Sequence, residues 1–287
     1  MALVALIAVT AVWGVTFVQV KDAVEIYPLF AFLTVRYAIA TGTLAVAGAP
    51  RVRSLGRPGL AAGGLIGVLL GLGIGLQTAG LERTTVSSTG FITGLYVVLT
   101  PLFGLALFGT RVGLEVWLGV VLSVTGLAML AGVHVGSTAG NLLVLASTAA
   151  QALQIVMVER YANRFDALAL TLVEMATCFV GFLAIAIAFG DLSVPRGWTV
   201  WGALIVTGVF ASALAFLIQI WAQRRISAAR IALVFALETV WAGFFGFVLD
   251  GDRLGWLGWG GCALILAGIV SAEPAAAGTL RRLAGRA

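Results

Sequence analysis

The sequence predicts an all-α integral membrane protein of about ten transmembrane helices in two inverted five-helix repeats, and three observations carry that reading. First, 61% of its 287 residues are hydrophobic and 10% are charged, whereas a soluble domain carries about 25% charged residues. With a mean hydropathy of +1.10, most of this surface is not built for water. Second, apolar runs recur that are long enough to cross a hydrocarbon core of about 30 Å, which takes roughly 20 helical residues. Third, the ends of the two halves align without a gap. Gly109 pairs with Gly251, Arg111 with Arg253, Gly113 with Gly255, Trp117 with Trp259, Gly119 with Gly261, Leu122 with Leu264 and Gly126 with Gly268, seven identities in nineteen positions.

Taken in order, the spans are predicted at 2–20, 29–48, 60–80, 86–108, 113–132, 138–158, 167–189, 198–220, 228–249 and 255–272. The first run starts at Ala2 without a basic region before it, so it is read as a span and not as a cleaved signal. Spans 2 and 3 are separated by Pro50, Arg51 and Arg53, then by Arg57, Pro58 and Gly59, which is poor lipid-facing sequence. Span 3 carries Gly63, Gly67, Gly71 and Gly75 at four-residue intervals, a smooth stripe suited to close helix packing. Gly71-Leu72-Gly73-Ile74-Gly75 is not a dinucleotide loop, because no soluble strand precedes it. Val194, Pro195, Arg196 and Gly197 mark the turn before span 8.

The first repeat is placed at 1–135, the second at 136–273 and a basic tail at 274–287. Five spans is an odd number, so the second copy enters from the opposite face, and a site is expected near the midplane between the copies. With the N-terminus inside, twelve basic residues fall in cytoplasmic segments and four outside, with Arg36 inside a span. The positive-inside rule then places both termini in the cytoplasm of a multi-pass inner-membrane protein.

The net charge of +5 is explained by arginines beside lipid headgroups, so the bilayer and not nucleic acid is the expected partner. Arg281, Arg282 and Arg286 are read as headgroup contacts. Cys178 and Cys262 lie in apolar spans and read as small hydrophobes. His134 is the single histidine, with no second ligand near it, so no metal is expected. No nucleophile motif, paired-carboxylate signature or phosphate loop is present, so no catalytic residue, no cofactor and no enzymatic activity are expected. Nothing in the sequence specifies an oligomeric state.

Three ionisable residues lie well inside spans: Arg36, Glu174 and Glu238. A charge near a helix centre costs roughly 2.5–3.5 kcal/mol by insertion scales, so such residues face a partner or an aqueous cavity. Glu238 reads as a proton or cation coupling site, as a contact for a substrate amine, or as a structural hydrogen-bond partner. Arg36 and Glu174 occupy matching places in the two repeats, each a short way into its span. At about 1.5 Å per residue they enter from opposite faces to depths that differ by about 9 Å. A direct pair, a bridged pair and a purely structural role all remain open for them. Trp13, Gln77, Tyr96, Gln151, Gln154 and Gln219 could line the same cavity, or bond between helices instead.

Five segments resemble the EamA-type branch of the drug/metabolite transporter superfamily. They are Val12-Trp13-Gly14-Val15-Thr16-Phe17, Phe32-Leu33-Thr34-Val35-Arg36-Tyr37, Thr84-Thr85-Val86-Ser87-Ser88-Thr89-Gly90-Phe91, Leu99-Thr100-Pro101-Leu102 and Ala236-Leu237-Glu238-Thr239-Val240. The resemblance covers the whole chain and implies ten helices in two inverted repeats. Thr239 stands where a proline usually follows the glutamate, so the resemblance implies no proline kink in span 9. It implies an alternating-access secondary transporter of a small-molecule substrate, exporting amino acids or related amphiphilic solutes, with proton coupling open at Glu238. Multidrug cation efflux and a non-transporting membrane scaffold are the alternatives.

Overall fold

The computed structural model describes residues 1–131, 137–249 and 255–272. His134, Gly251, Arg253, the boundary at 135/136 and the tail with Arg281, Arg282 and Arg286 lie outside them. Among the described residues the fold is 87% helical, with no strand. This follows from the solvent: hydrocarbon supplies no hydrogen bonds, so each backbone group must be satisfied within its own segment.

In chain order the helices are α1 (Ala2–Ile26), α2 (Leu29–Val52), α3 (Gly56–Leu81), α4 (Val86–Gly94), α5 (Tyr96–Phe108), α6 (Leu114–Ala131) and α7 (Thr138–Ala162). There follow α8 (Ala167–Phe189), α9 (Gly197–Ile205), α10 (Ala215–Gln223), α11 (Ala228–Phe235), α12 (Leu237–Leu249) and α13 (Trp256–Ser271). Among the described residues six segments are long and apolar enough to cross a membrane, and Leu114–Leu130 and Trp256–Ser271 are shorter apolar helices. The protein is an integral membrane protein.

One of those segments, Leu29–Leu81, is 53 residues long. Continued as one helix it would reach about 80 Å, more than twice the hydrocarbon thickness. It turns instead at a 3-10 stretch, Arg53–Leu55, followed by Gly56 at φ 59°, a backbone region open to glycine and costly for other residues. Two expected spans are each interrupted once. The run 86–108 breaks at Leu95 between α4 and α5, and the run 228–249 breaks at Ala236 between α11 and α12. The second break needs no proline. Between α9 and α10, Val206–Leu214 is π-helical.

Helices pair as α2 with α8, α3 with both α7 and α8, α6 with α13, and α1 with α10 and α12. Glycine sets how closely they approach. An added Cβ at Gly63 would stand 2.8 Å from Val173, and one at Gly67 would stand 2.7 Å from the Glu174 carbonyl, so the α3 stripe lies along α8. The α6–α13 contact is reciprocal. A Cβ on Gly126 would lie 2.5 Å from the Gly261 carbonyl oxygen, and one on Gly261 would lie 2.6 Å from that of Gly126. A Cβ on Gly119 would lie 2.6 Å from the Gly268 oxygen, and one on Gly268 would lie 2.7 Å from that of Gly119. In both pairs the obstacle is backbone, which cannot swing aside as a side chain can.

Gly126→Val is therefore expected to force α6 from α13, at a cost of about 1–3 kcal/mol or more, read as a lower thermal unfolding midpoint in detergent. Gly64→Ala is the control. Nothing lies within 4 Å of its new methyl group, so stability should hold or rise by up to about 1 kcal/mol from helix propensity.

Candidate functional site

α1, α2, α3, α5, α7, α10, α11 and α12 enclose a central cavity of about 70 Å³, room for about five waters. Eight of the nine residues singled out in the sequence line it: Trp13, Arg36, Gln77, Tyr96, Gln151, Gln154, Gln219 and Glu238. The ninth, Glu174, does not. A second groove of about 310 Å³ between α3 and α8 is lined mainly by the glycine stripe and apolar side chains, with no charged residue. Among the described residues no group of three or more His, Cys, Asp or Glu could hold a metal ion.

Arg36 is 6% exposed. Its Nε donates to Ser212 Oγ at 2.9 Å, and its guanidinium carbon stands 5.6 Å from the Tyr37 ring centroid. Ser212 belongs to the π-helical stretch, which approaches α2 closely because residue 208 is glycine. A Cβ there would fall 3.0 Å from the Arg36 carbonyl oxygen. One residue earlier, the Ala211 carbonyl accepts a hydrogen bond from Trp13 Nε1 at 2.9 Å. The π-helical stretch thus holds two lining side chains at once. The indole of Trp13 also meets Phe235, edge-on at 4.8 Å, and Phe216 at 5.6 Å.

On the opposite side the cavity ends on amides. Gln154 Nε2 donates to Glu174 Oε1 at 2.8 Å, and Gln219 Nε2 lies 3.1 Å from Gln154 Oε1 and 2.9 Å from Gln223 Oε1. Gln223 Nε2 in turn donates to the Ile155 carbonyl at 2.8 Å. Glu174 is fully buried behind Gln154, with its Oε2 unpartnered. Arg36 and Glu174 form no ion pair among the described residues; each is held by a neutral partner instead. The direction in which each side chain faces was not readable from its position in the span.

Glu238 is the second residue of α12, just after the break at Ala236, and Tyr96 starts α5 beside the break at Leu95. The two face the same cavity, and among the described residues Glu238 makes no hydrogen bond or ion pair. Gln77 Nε2 is tied to Thr93 Oγ1 at 3.0 Å, and Gln151 Nε2 to Ser147 Oγ at 2.9 Å. Ser212, Gln223, Phe216 and Phe235 are the contributors the sequence reading missed. Gln223 carried a usable signal, since it stands four residues after Gln219 on one helix face. Ser212 carried none, because small hydroxyl residues are common wherever membrane helices pack.

The lining residues recur at two fixed spacings. Trp13 and Gln151, Thr16 and Gln154, and Phe17 and Ile155 share one spacing along the chain. Ile74 and Phe216, Gln77 and Gln219, and Tyr96 and Glu238 share a second, the one that relates Gly109 to Gly251. Arg36, Leu70, Val20, Thr78 and Leu81 also line the cavity. The residues at the corresponding spacings, Glu174, Ser212, Val158, Ile220 and Gln223, are all buried outside it.

The chain matches the EamA-like transporter family over residues 1–132 and 138–272. It is 30% identical over 270 residues to an uncharacterized transporter of Archaeoglobus fulgidus, covering 94% of this chain and 83% of that one. A protein of known crystal structure superposes with a TM-score of 0.78 at 20% identity, covering 98% of both chains, which establishes a shared fold.

The amide floor makes its own prediction. Gln154→Leu removes the donor to Glu174 and a partner of Gln219, and should lower stability by about 1–3 kcal/mol. The double variant Gln154→Leu, Glu174→Leu should lose less than the two single variants summed, as coupled neighbours do. Thermal unfolding of the four proteins closes that cycle.

Proposed function

Because the chain belongs to the EamA-like transporter family, we propose that it is an alternating-access secondary transporter, not an enzyme, which exports amino acids or related small amphiphilic solutes across the inner membrane. Two inverted halves, 1–135 and 136–273, would form the carrier, with both termini cytoplasmic and the tail 274–287 against the inner leaflet.

The observation that carries the reading is the lining of the cavity. Twelve of its eighteen residues fall into six pairs at two spacings, the pattern expected where two related halves face each other across a site. The reciprocal glycine contacts of α6 and α13 support the same relation, since Gly119 and Gly261, like Gly126 and Gly268, stand at the same spacing as Gln77 and Gln219. The cavity is not symmetric, however. It extends along Val20, Thr78 and Leu81, near the ends of α1 and α3, while Val158, Ile220 and Gln223 at the matching spacings are packed shut. An asymmetry of this kind is what a carrier held in one of its two states would show. With the N-terminus inside, the ends of α1 and α3 along which the cavity extends face outward.

Glu238 is the proposed coupling group, being a carboxylate on the cavity with no protein partner among the described residues. The test is counterflow in proteoliposomes preloaded with unlabelled solute. Uptake of the matching labelled amino acid should be stimulated, and an imposed pH gradient should drive accumulation that falls about tenfold or more in Glu238→Gln. Proton-driven accumulation by Glu238→Gln at the wild-type rate would exclude coupling through this residue. If folded protein exchanges no amino acid, nucleoside, sugar or cationic drug, the scaffold alternative stands in place of the carrier.

A further inference from the structure

Two ionisable side chains of opposite sign line the cavity, Arg36 and Glu238. Neither has an ionic partner within 4.0 Å among the described residues. We propose that they are the two poles of a zwitterion site: the terminal nitrogens of Arg36 take the carboxylate of a solute, and Glu238 takes its ammonium. This assignment rests on the carrier reading and narrows its substrate to solutes that carry both charges.

The Arg36 guanidinium is already oriented. Its Nε is spent on Ser212 Oγ at 2.9 Å, which fixes the plane of the group. The same bond leaves Nη1 and Nη2 without an acceptor among the described residues. Two parallel N–H donors in a fixed plane match the two oxygens of a carboxylate. A buried charge without a partner is costly, so the anion that occupies this fork removes a penalty as well as adding two hydrogen bonds. Glu238 presents the converse need, an acceptor without a donor, on the rim shared with Tyr96.

Trp13 lies between the poles. Its indole N–H is held by the Ala211 carbonyl next to Ser212, and its ring packs edge-on at 4.8 Å against Phe235, three residues before Glu238. With Phe216 at 5.6 Å this makes an apolar wall from the cationic pole toward the anionic one. A solute with a hydrocarbon body can lie on that wall with its charged groups at the two ends. A monovalent lipophilic cation satisfies Glu238 but leaves Arg36 unpaired and adds a like charge near it. The two poles therefore discriminate against the cations that a multidrug efflux site would select.

The test uses four solutes of similar size: leucine, leucinamide, isocaproate and ε-aminocaproate. Wild-type proteoliposomes should exchange one or both zwitterions, leucine where the poles are close and ε-aminocaproate where they are far apart. Leucinamide and isocaproate should be weaker by about tenfold to a hundredfold, the range for losing one charged hydrogen-bonding partner. Arg36→Gln should abolish the preference for leucine over leucinamide, Arg36→Lys should restore it in part, and Glu238→Gln should abolish the preference for leucine over isocaproate. Quenching of tryptophan fluorescence on binding, absent in Trp13→Phe, gives a second readout if a variant folds but does not transport. Should wild-type protein exchange leucinamide or a monovalent cation as well as either zwitterion, the charge assignment falls while the carrier reading stands. Should it exchange and bind no solute at all, both fall together.

Discussion

Hydrocarbon offers no water to a polar group, and that constraint organises this molecule. Every amide of a lipid-facing segment is consumed by its own helix, so the polar side chains are what remains to be arranged. They are gathered on the interior. Glu174, Gln154, Gln219 and Gln223 are linked in a chain of hydrogen bonds that leaves Glu174 Oε2 and Gln219 Oε1 without a partner among the described residues, and Arg36 is held by a hydroxyl and Trp13 by a carbonyl from one short stretch. The exterior keeps large apolar side chains such as Leu72, Val121 and Phe189, all of them exposed. In water this distribution would be an aggregation surface; in lipid it is the cheapest one.

Close helix approach makes that gathering geometrically feasible. Hydrophobic burial does not drive helices together inside a bilayer, where lipid tails are as apolar as leucine, so contact quality must do it. Glycine supplies the contact at several of these crossings. It lets α6 touch α13 carbonyl to backbone, it seats α3 on α8, and at Gly208 it brings the π-helical stretch against α2. The last approach acts directly on the cavity, because it sets Ser212 within reach of Arg36. A bulkier residue at 208 would move the anchor of the lining arginine, so a packing residue here positions a polar one.

Much of the site was legible because polarity is rare in this sequence. In a chain with 10% charged residues, an arginine, two glutamates and several glutamines inside apolar runs stand out without any structure, and eight of the nine candidates do share one cavity. Which side of its helix a residue faces was harder to read. Arg36 and Glu174 sit at matching places in the sequence, yet one lines the cavity and the other is buried behind Gln154, a difference in packing that periodicity does not encode. The helix breaks were illegible for another reason. Neither Leu95 nor Ala236 is a breaker, and Pro101, which is one by composition, sits inside the continuous helix α5. All-helical architecture, by contrast, followed from composition and run length alone.

The π-helical stretch sharpens the meaning of the cavity's asymmetry. At the spacing that relates Gln77 to Gln219, the counterpart of Val206–Leu214 is 64–72, within α3, and α3 is regular α-helix throughout. Widening from four to five residues between bonded groups changes the direction in which later side chains point, so Gln219 and Gln223 on α10 need not occupy the same relation to the axis as Gln77 and Leu81 on α3. Gln77, Leu81 and Gln219 border the cavity, whereas Gln223 is buried outside it and bonded to Gln219. Similar sequence spacing thus supports two backbone geometries, α-helical in one half and π-helical in the other. The irregular stretch is tied to the cavity wall by two side-chain hydrogen bonds, Trp13 to the Ala211 carbonyl and Arg36 to Ser212. Both donors also line the cavity, so the two bonds that hold the irregular stretch in place belong to the surface that an occupant would meet.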